Sequence, residues 1–310
     1  MNMVNSTWLN DVPKTANVVE VGPRDGLQNE STPLSVAQKV GLIDALSQCG
    51  FSHIEAGSFV SPKWVPQMAN SEQVLSQIER KPNIIYSALT PNLRGLEGAI
   101  TAKAQTVAVF ASASESFSQK NINCSIEQSI ERFSEVIAHA KGHNIPVRGY
   151  VSCVLGCPYE GDVDPQAVLD VSSTLLEMGC YEVSLGDTIG VGTANKMHQL
   201  LNLLLSQLPV SRLGLHCHDT YGQALSNILV GLQQGINTFD SSVAGLGGCP
   251  YAAGASGNVA SEDVIYMLNN MGVETGIDLP MLSGIGNSIS QLLNRPNQAK
   301  SGVALTAKQA

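Results

Sequence analysis

The sequence predicts a single (β/α)8 barrel with additional helices near its C-terminus. Short β-branched runs alternate eight times with longer segments of helical period, the pattern of parallel strands joined by crossover helices. The 310 residues are 43% hydrophobic and only 14% charged, which is enough apolar chain for one large core. An open doubly wound sheet is disfavoured, because no GxGxxG motif follows the first strand.

The elements can be placed in order along the chain. The predicted strands lie at 17–22, 53–59, 84–90, 106–114, 147–153, 181–188, 213–219 and 238–245. Between them, apolar residues recur at spacings of three and four and the segments end near Gly or Asn, as helices do. We therefore predict an N-terminal segment over 1–16, the barrel over 17–273, and a helical extension over 274–310 packed near the barrel mouth. The last ten residues are predicted to be loose.

Charge and cysteine content limit the partners and the compartment. With 17 Lys and Arg against 26 Asp and Glu, the formal net charge is −9, which argues against binding to nucleic acid or to a membrane surface. Seven cysteines form no obvious pairing pattern, and no signal sequence or long apolar run is present. Reduced thiols and a cytoplasmic location are the expectation. An anionic small-molecule substrate would need a local basic pocket.

A metal site is predicted at the C-terminal ends of the strands, where barrel enzymes carry their chemistry. His216 and His218 are two apart on strand 7, so both imidazoles face the same side. Asp25 follows strand 1, and only strand 8 separates strand 1 from strand 7 once the barrel closes. With the amide oxygen of Asn258, these residues give a mixed nitrogen and oxygen set suited to Mg²⁺ or Mn²⁺. The alternative is a pair of histidines that simply satisfy a polar barrel end.

Other charged residues are candidates with structural alternatives. Arg24 lies between Pro23 and Asp25, which favours a guanidinium aimed into the barrel mouth over a surface ion pair. Glu55 and Asp187 either serve the site or merely cap a helix or hold an arginine. The rival histidines at 139 and 143 share a helix face, but they lie in its last turn, where a cation interacts favourably with the helix dipole.

The stretch SSVAGLGGCPYAAGASGN, residues 241–258, places five glycines around Cys249. It is not a P-loop, because GxxxxGK[ST] is absent, and it follows the last strand, unlike a dinucleotide-binding turn. A cysteine among glycines is accessible and able to move with a closing loop. We interpret the stretch as a catalytic loop, and a merely flexible connection is the alternative.

Seven segments together resemble the 3-hydroxy-3-methylglutaryl-CoA lyase family of metal-dependent barrels. They are VEVGPRDGLQNE (19–30), SFVSPKWVPQM (58–68), KNINCSIE (120–127), RGYVSCVLGCPYEG (148–161), SLGDTIGVGT (184–193), HCHDTYGQAL (216–225) and the glycine loop. The resemblance covers almost the whole chain, and the glycine loop is its most specific part.

The resemblance implies cleavage of a CoA thioester with a tertiary C3 alcohol to acetyl-CoA and acetoacetate. It implies a divalent cation, Mg²⁺ or Mn²⁺, on Asp25, His216 and His218 with Asn258 nearby. Catalytic roles are implied for Arg24, Glu55, Asp187, His216 and Cys249, and CoA contacts are predicted for Ser58, Ser184, Asn294 and Arg295. A homodimer is also expected, since family members commonly pair.

Two departures and four alternatives qualify the resemblance. The C-terminus SGVALTAKQA lacks the cysteine through which eukaryotic members are regulated by thiol oxidation, and Pro296 stands where the family places a CoA-binding lysine. A sister lyase for a longer substrate, such as 3-hydroxy-3-isohexenylglutaryl-CoA, shares all of these motifs. Related synthases use another glycine-loop pattern, and YEVSLGDT lacks the lysine that carboxyltransferases carbamylate. A barrel that has lost catalysis would show a broken set of polar residues, whereas this set is complete.

Overall fold

A computed structural model describes residues 12–248 and 257–308 and forms a closed barrel of eight parallel strands. Each strand pairs with the next, and β8 closes the ring by pairing with β1. The strands are β1 (Asn17–Glu20), β2 (His53–Ser58), β3 (Ile85–Leu89), β4 (Thr106–Ser112), β5 (Val147–Ser152), β6 (Glu182–Asp187), β7 (Leu213–Cys217) and β8 (Thr238–Ser241). The predicted fold is confirmed, and all eight strands lie within the predicted runs.

Helices surround the strands on the outside of the barrel. Those in the described residues are α1 (Val36–Leu46), α2 (Ser71–Gln77), α3 (Leu93–Thr101), α4 (Glu115–Ile122), α5 (Ile126–Gly142), α6 (Pro165–Met178), α7 (Ala194–Leu205), α8 (Ala224–Gln233), α9 (Ser261–Asn270), α10 (Leu279–Leu292) and α11 (Lys300–Ala307). Local sequence fixes several ends. Ser35 and Gln38 form a reciprocal capping box at the start of α1, and Gly179 ends α6 in the left-handed conformation. No helix in the described ranges is both long and apolar enough to cross a membrane.

The C-terminal helices run along the barrel instead of only covering its mouth. The N–H of Asp278, which caps α10, donates to the carbonyl of Cys49 just before β2. Three residues past its other end, Arg295 donates to the carbonyl of Gly245, just after β8. The helix therefore spans the barrel from its N-terminal to its C-terminal end. The expectation of a loose C-terminus was wrong, because α11 occupies 300–307 and its start is capped by the carboxylate of Asp263.

The inside of the barrel is polar, and the layer between strands and helices is apolar. Side chains alternate along each strand, so one set faces the barrel axis and the other faces the helices. On β6, Ser184 faces inward to Asp240 on β8, whereas Val183 and Leu185 pack in the outer core. The polar chemistry is therefore concentrated inside the barrel, and the apolar core that stabilises the fold surrounds it.

Two buried carboxylates hold the turns at the ends of β1 and β8. Glu20 accepts hydrogen bonds from the N–H groups of Gly22 (2.8 Å) and Val243 (2.9 Å), which ties the two turns together. Glu262 accepts from the N–H of Ala244 through both of its oxygens, at 3.1 and 2.9 Å. Ala244 has a φ of 56°, a left-handed conformation that costs energy for a residue with a Cβ. Glu262 thus stabilises the strained start of the glycine loop.

Stability is expected to fall as the pH rises from about 5 to 8, in part because of Glu262. Burial raises the pKa of Glu262 from 4.5 to about 8, so the folded chain keeps a proton that the unfolded chain has released. Raising the pH therefore favours the unfolded state across this window. Glu262→Gln should reduce that loss of stability by more than about 1 kcal/mol, measured as the free energy of unfolding in urea at both pH values.

The exposed residue Glu131 on α5 provides the control, since Glu131→Gln removes a carboxylate without altering a buried site. Burial also raises the pKa of Glu20 to about 7, so some pH dependence of the same sign should remain in the Glu262 variant. An unchanged pH dependence in Glu262→Gln would contradict the assignment.

Candidate active site

Asp25, His216 and His218 meet at the C-terminal end of the barrel. One ligand atom from each lies within 4.8 Å of the others, and the two imidazole centroids are 5.3 Å apart. Asp25 is held in the turn Gly22–Gly26 directly after β1, while His216 lies on β7 and His218 one residue beyond it. The predicted clustering is confirmed, and these residues form a site able to hold a metal ion.

Asp25 and His218 are in the protonation states that a cation needs. Burial acts to raise the pKa of Asp25, but the guanidinium of Arg24 and the two imidazoles outweigh it and lower that pKa to about 2. Burial lowers the pKa of His218 to about 4, so its ring is neutral near pH 7. Its Nδ1 is buried and has no hydrogen-bond partner among the described residues. An ionised carboxylate beside a neutral imidazole with an unused nitrogen fits a divalent cation.

Asn258 lies next to these ligands and contacts one of them. Its Nδ2 donates to Asp25 Oδ2 at 2.9 Å and to the carbonyl of Leu246 at 3.3 Å. The sequence predicts that its amide oxygen is a ligand, whereas in this orientation its nitrogen holds Asp25 in place. A direct contact between Asn258 and a metal stays a prediction.

Arg24 is fixed by contacts on three sides. Its Nε and Nη2 each lie 2.6 Å from Glu55 Oε2, and its Nη1 pairs with Asp25. The guanidinium carbon also lies 5.6 Å from the centre of the Tyr150 ring. Because the side chain is 6% exposed, these contacts hold a positive charge in a defined position next to Asp25. The structure gives Glu55 the role of holding this arginine.

Asp187 points away from the ligand cluster. Its Oδ2 accepts from the N–H of Gly192 at 2.9 Å, which fixes the loop after β6, and its Oδ1 has no partner among the described residues. Burial raises the pKa of Asp187 to about 6, and the backbone hydrogen bonds of this loop oppose that rise. The observed contacts are those of a loop-holding residue, and its catalytic role stays a prediction.

A buried charge network lies beneath the ligands, and the sequence analysis did not identify it. Arg148 donates to Asp240 Oδ1 and to Glu182 Oε1, both at 2.8 Å. Asp240 Oδ2 accepts from the hydroxyl of Ser184 at 2.7 Å and lies 3.2 Å from His216 Nδ1. Burial acts to raise the pKa of Asp240, but Arg148 outweighs it and holds that pKa below its ordinary range. The network connects three strands to one of the ligands.

Two connected spaces open above the ligands. One, of about 140 Å³, is lined by Asp25, His216 and His218 together with Gly248. The other, of about 1050 Å³, is lined by Arg24 and Phe110 and also by Lys120 and Arg132. Its rim carries Trp64, which is 86% exposed. The larger space is therefore lined both by reactive groups and by two further cations, the exposed Lys120 and the half-buried Arg132.

Comparison with known proteins agrees with this geometry. The family model described as HMGL-like matches residues 15–289. The chain belongs to the HMGL-like family. A Pseudomonas aeruginosa relative, a 3-hydroxy-3-isohexenylglutaryl-CoA/hydroxy-methylglutaryl-CoA lyase, is 57% identical over 298 residues, which cover 96% of this chain and 99% of the relative.

Solved structures extend the comparison to the fold. The crystal structure of a hydroxymethylglutaryl-CoA lyase from Pseudomonas aeruginosa matches with a TM-score of 0.94 and 57% identity, covering 96% of this chain and 99% of that one. An HMG-CoA lyase from Acinetobacter baumannii, solved with coenzyme A and 3-methylmalate, matches with a TM-score of 0.89 and 36% identity, covering 93% and 94%. The barrel, its C-terminal helices and its length are therefore those of the HMGL-like family.

In this HMGL-like barrel, the four residues predicted to contact CoA lie in two places. Ser58 and Ser184 are buried, and Ser184 donates to Asp240, so neither hydroxyl lines the described cavities. Asn294 follows α10 with a φ of 52°, and Arg295 pairs with Glu30 near the glycine loop. The two serines are therefore not part of the proposed CoA site. A contact of Asn294 and Arg295 with CoA stays a prediction.

The glycine loop of this HMGL-like chain is described only at its ends, and Cys249 lies outside the described residues. The carbonyl of Gly248 accepts from Asn29 at 2.8 Å, and the N–H of Gly247 donates to Glu30 at 3.2 Å. At the other end, the N–H of Asp219 donates to the carbonyl of Gly257 at 2.8 Å. Both described ends of the loop are therefore anchored beside the ligands.

Proposed function

We propose that this chain cleaves (S)-3-hydroxy-3-methylglutaryl-CoA to acetyl-CoA and acetoacetate. The observation that carries the proposal is the placement of Arg24 beside the cluster of Asp25, His216 and His218, with Arg24, Asp25 and His216 all lining the same large cavity. A carboxylate-bearing CoA thioester fits such a cavity, because its acyl group carries the reacting atoms at one end of the molecule and its nucleotide lies at the other end.

Asp25, His216 and His218 would hold a divalent cation, and Mg²⁺ or Mn²⁺ suits a set of one carboxylate and two imidazoles without thiolate. When bound, such a cation polarises the C3 hydroxyl and a carboxylate oxygen of the substrate, which lowers the pKa of the hydroxyl. Arg24 keeps Asp25 ionised, and Asn258 orients it.

The reaction needs a base, an anion stabiliser and an acid. A base takes the C3 hydroxyl proton, C3 becomes a carbonyl carbon, and the C2–C3 bond breaks with its electron pair moving onto the thioester as an enolate. The guanidinium of Arg24 is the group available to stabilise the developing negative charge on the thioester oxygen. A proton must then reach C2, and we propose Cys249 as its donor, with Asp187 as the base or relay.

The function is tested by measuring acetoacetate release from the thioester. Turnover should require Mg²⁺ or Mn²⁺, be lost in excess EDTA, and return when the cation is restored in excess of the chelator. His139→Ala is the matched histidine control, because His139 is an exposed residue near the end of α5, and it should keep wild-type turnover. Full turnover in EDTA would contradict the proposed role of the metal. Absence of turnover with both cations would contradict the proposed substrate.

Lys120 and Arg132 are proposed to contact the phosphates of CoA, because apart from Arg24 they are the cations among the described residues that line the large cavity. Lys120→Ala and Arg132→Ala should each raise the KM for the thioester by about 10-fold, with kcat little changed. The increase should shrink at high salt. The measurement is steady-state kinetics at low and high ionic strength.

The matched control for these two variants is the pantetheine thioester, which lacks the nucleotide phosphates. Wild type and both variants should show the same KM for it. An equal rise of KM for the two thioesters would show that these residues act on the acyl end, and would contradict a phosphate contact.

A longer C3 branch is a second candidate substrate feature. Val60, Leu89, Phe110 and Tyr150 form an apolar wall of the cavity next to Arg24, and a cavity of about 1050 Å³ has room for more than a methyl group. Comparison of kcat/KM for the methyl and isohexenyl thioesters decides between the two. A preference of more than about 10-fold for the longer ester would move the assignment to the sister lyase.

We also propose a cytoplasmic homodimer. The location is supported by the six described cysteines, all of which are free thiols. The dimer is supported by the resemblance to the family, whose members commonly form dimers. Light scattering coupled to gel filtration tests it.

A further inference from the structure

Asp240 is the carboxylate of the buried network, within the described ranges, that contacts a predicted metal ligand. It lies on β8 directly opposite His216 on β7 in the strand register, and 1% of it is exposed. Its Oδ2 lies 3.2 Å from His216 Nδ1. Nothing in the proposed reaction uses this carboxylate directly, although a buried charge needs a partner and hydrogen bonds to be tolerated.

The other contacts of Asp240 decide which partner supplies the hydrogen. Arg148 donates to its Oδ1 at 2.8 Å, and Ser184 donates to its Oδ2 at 2.7 Å. A carboxylate held by a guanidinium is ionised and can only accept hydrogen bonds. The hydrogen between Asp240 and His216 therefore belongs to Nδ1 of the imidazole.

This arrangement determines the protonation state of the other ring nitrogen, Nε2. When Nδ1 carries the proton, a neutral imidazole presents an unprotonated Nε2. Nε2 of His216 faces Asp25, with 3.7 Å between Nε2 and Oδ2. The unprotonated nitrogen is thus the one directed into the ligand cluster.

Space for the network is built into the neighbouring strand. Gly214 lies two residues before His216 on β7, and a Cβ there would stand 3.0 Å from Arg148 Nη2. A larger residue would displace the guanidinium that holds Asp240. β7 therefore carries the ligand His216 and, at Gly214, the space that the side chain of Arg148 occupies.

We propose that Asp240 is a positioning residue that fixes the Nδ1-protonated tautomer of His216 and so leaves Nε2 free to bind the divalent cation. Arg148 and Ser184 hold Asp240 in the orientation that this requires. The metal-binding part of this inference rests on the proposed function, whereas the tautomer does not.

Asp240→Asn tests the proposal, because it keeps the shape of the side chain and the acceptor for Arg148 but turns an NH₂ group toward His216. The amide then favours a proton on Nε2, which blocks the ligand atom. The expected result is a 10- to 100-fold increase in the Kd for MnCl₂, measured by calorimetry on the full chain. A Kd within two-fold of wild type in the folded variant would overturn the proposal.

Glu182→Gln is the matched control. Glu182 also binds Arg148 and its substitution also removes one negative charge from the same network, but it does not touch His216. It should leave the Kd for MnCl₂ within about two- to three-fold of wild type. An equal loss in both variants would show that the network acts only through its overall charge or stability, and would overturn the specific role of Asp240.

A second measurement does not depend on any variant of Asp240 folding. Nitrogen NMR of the metal-free wild-type chain labelled at histidine reports which ring nitrogen carries the proton, and the His216 signal is assigned by its loss in His216→Gln. Protonation on Nδ1 is expected, and protonation on Nε2 would overturn the proposal. Failure of wild type to bind MnCl₂ would instead count against the proposed function and leave the tautomer result standing.

Discussion

Arg24→Lys is expected to lower kcat by about 10²- to 10³-fold with a smaller change in KM. A lysine keeps the positive charge but has one ammonium group in place of a planar fork. It cannot contact Glu55 and Asp25 together and still present a fixed donor to the cavity. The charge would then be mobile where the enolate forms. Steady-state kinetics with the methyl thioester at saturating cation measures the effect.

Arg212→Lys is the matched control for this substitution. Arg212 is half-buried before β7, at the other end of the barrel, and it donates to the carbonyls of Cys180 and Tyr181. Its kcat should remain within about two-fold of wild type. If Arg24→Lys also kept a kcat within three-fold, while its circular dichroism and Tm matched wild type, Arg24 would have no electrostatic role in catalysis.

Cys249→Ala should reduce kcat by about 10²- to 10⁴-fold, the usual range for loss of a proton donor or acceptor. This prediction comes from the sequence of the glycine loop, because the residue lies outside the described structure. The described cysteines supply a check: all six, Cys49, Cys124, Cys153, Cys157, Cys180 and Cys217, are buried. Iodoacetamide should therefore modify Cys249 alone in the native protein, seen as one adduct by mass spectrometry.

Cys180→Ala serves as the control, because Cys180 lies in the outer core and burial raises the pKa of its thiol to about 12. It should keep its activity and its sensitivity to the alkylating agent. Cys249→Ala should be free of adduct. Retention of wild-type kcat by Cys249→Ala, or inactivation of that variant by iodoacetamide, would place the proton donor elsewhere.

The predicted site residues differ in how well sequence position located them. His216 and His218 could be placed on one face because side chains alternate along a strand with a period of two. Asp25 could be placed near them because only β8 lies between β7 and β1 in the closed barrel. Asp187 also follows the strand rule, but its parity is that of Leu185, so its side chain leaves the barrel interior and holds the loop after β6. A position at the end of a strand predicts which end of the barrel a residue occupies. Whether its position along the strand is odd or even decides whether its side chain faces the barrel interior or the helices.

The buried network shows what the same alternation could have revealed. Arg148 and Tyr150 alternate in VRGYVS, and Glu182 and Ser184 alternate in EVSLGD, so their inward direction was readable. Their partner Asp240 was not, because a contact between β5, β6 and β8 across the barrel depends on closure and side-chain length. Lys120 and Arg132 on α4 and α5 likewise reach the cavity only through packing of helices against strands.

The sequence by itself determined the eight strands, their order around a closed barrel, the family, and the grouping of Asp25 with His216 and His218. These follow from local hydrophobic period and from motif spacing, which are properties of neighbouring residues. Only the tertiary structure decided that Glu55 holds Arg24, that Asn258 holds Asp25, and that Asp240 binds His216. Those hydrogen bonds join residues 24 to 233 positions apart, and their lengths are set by how far each side chain reaches across the barrel.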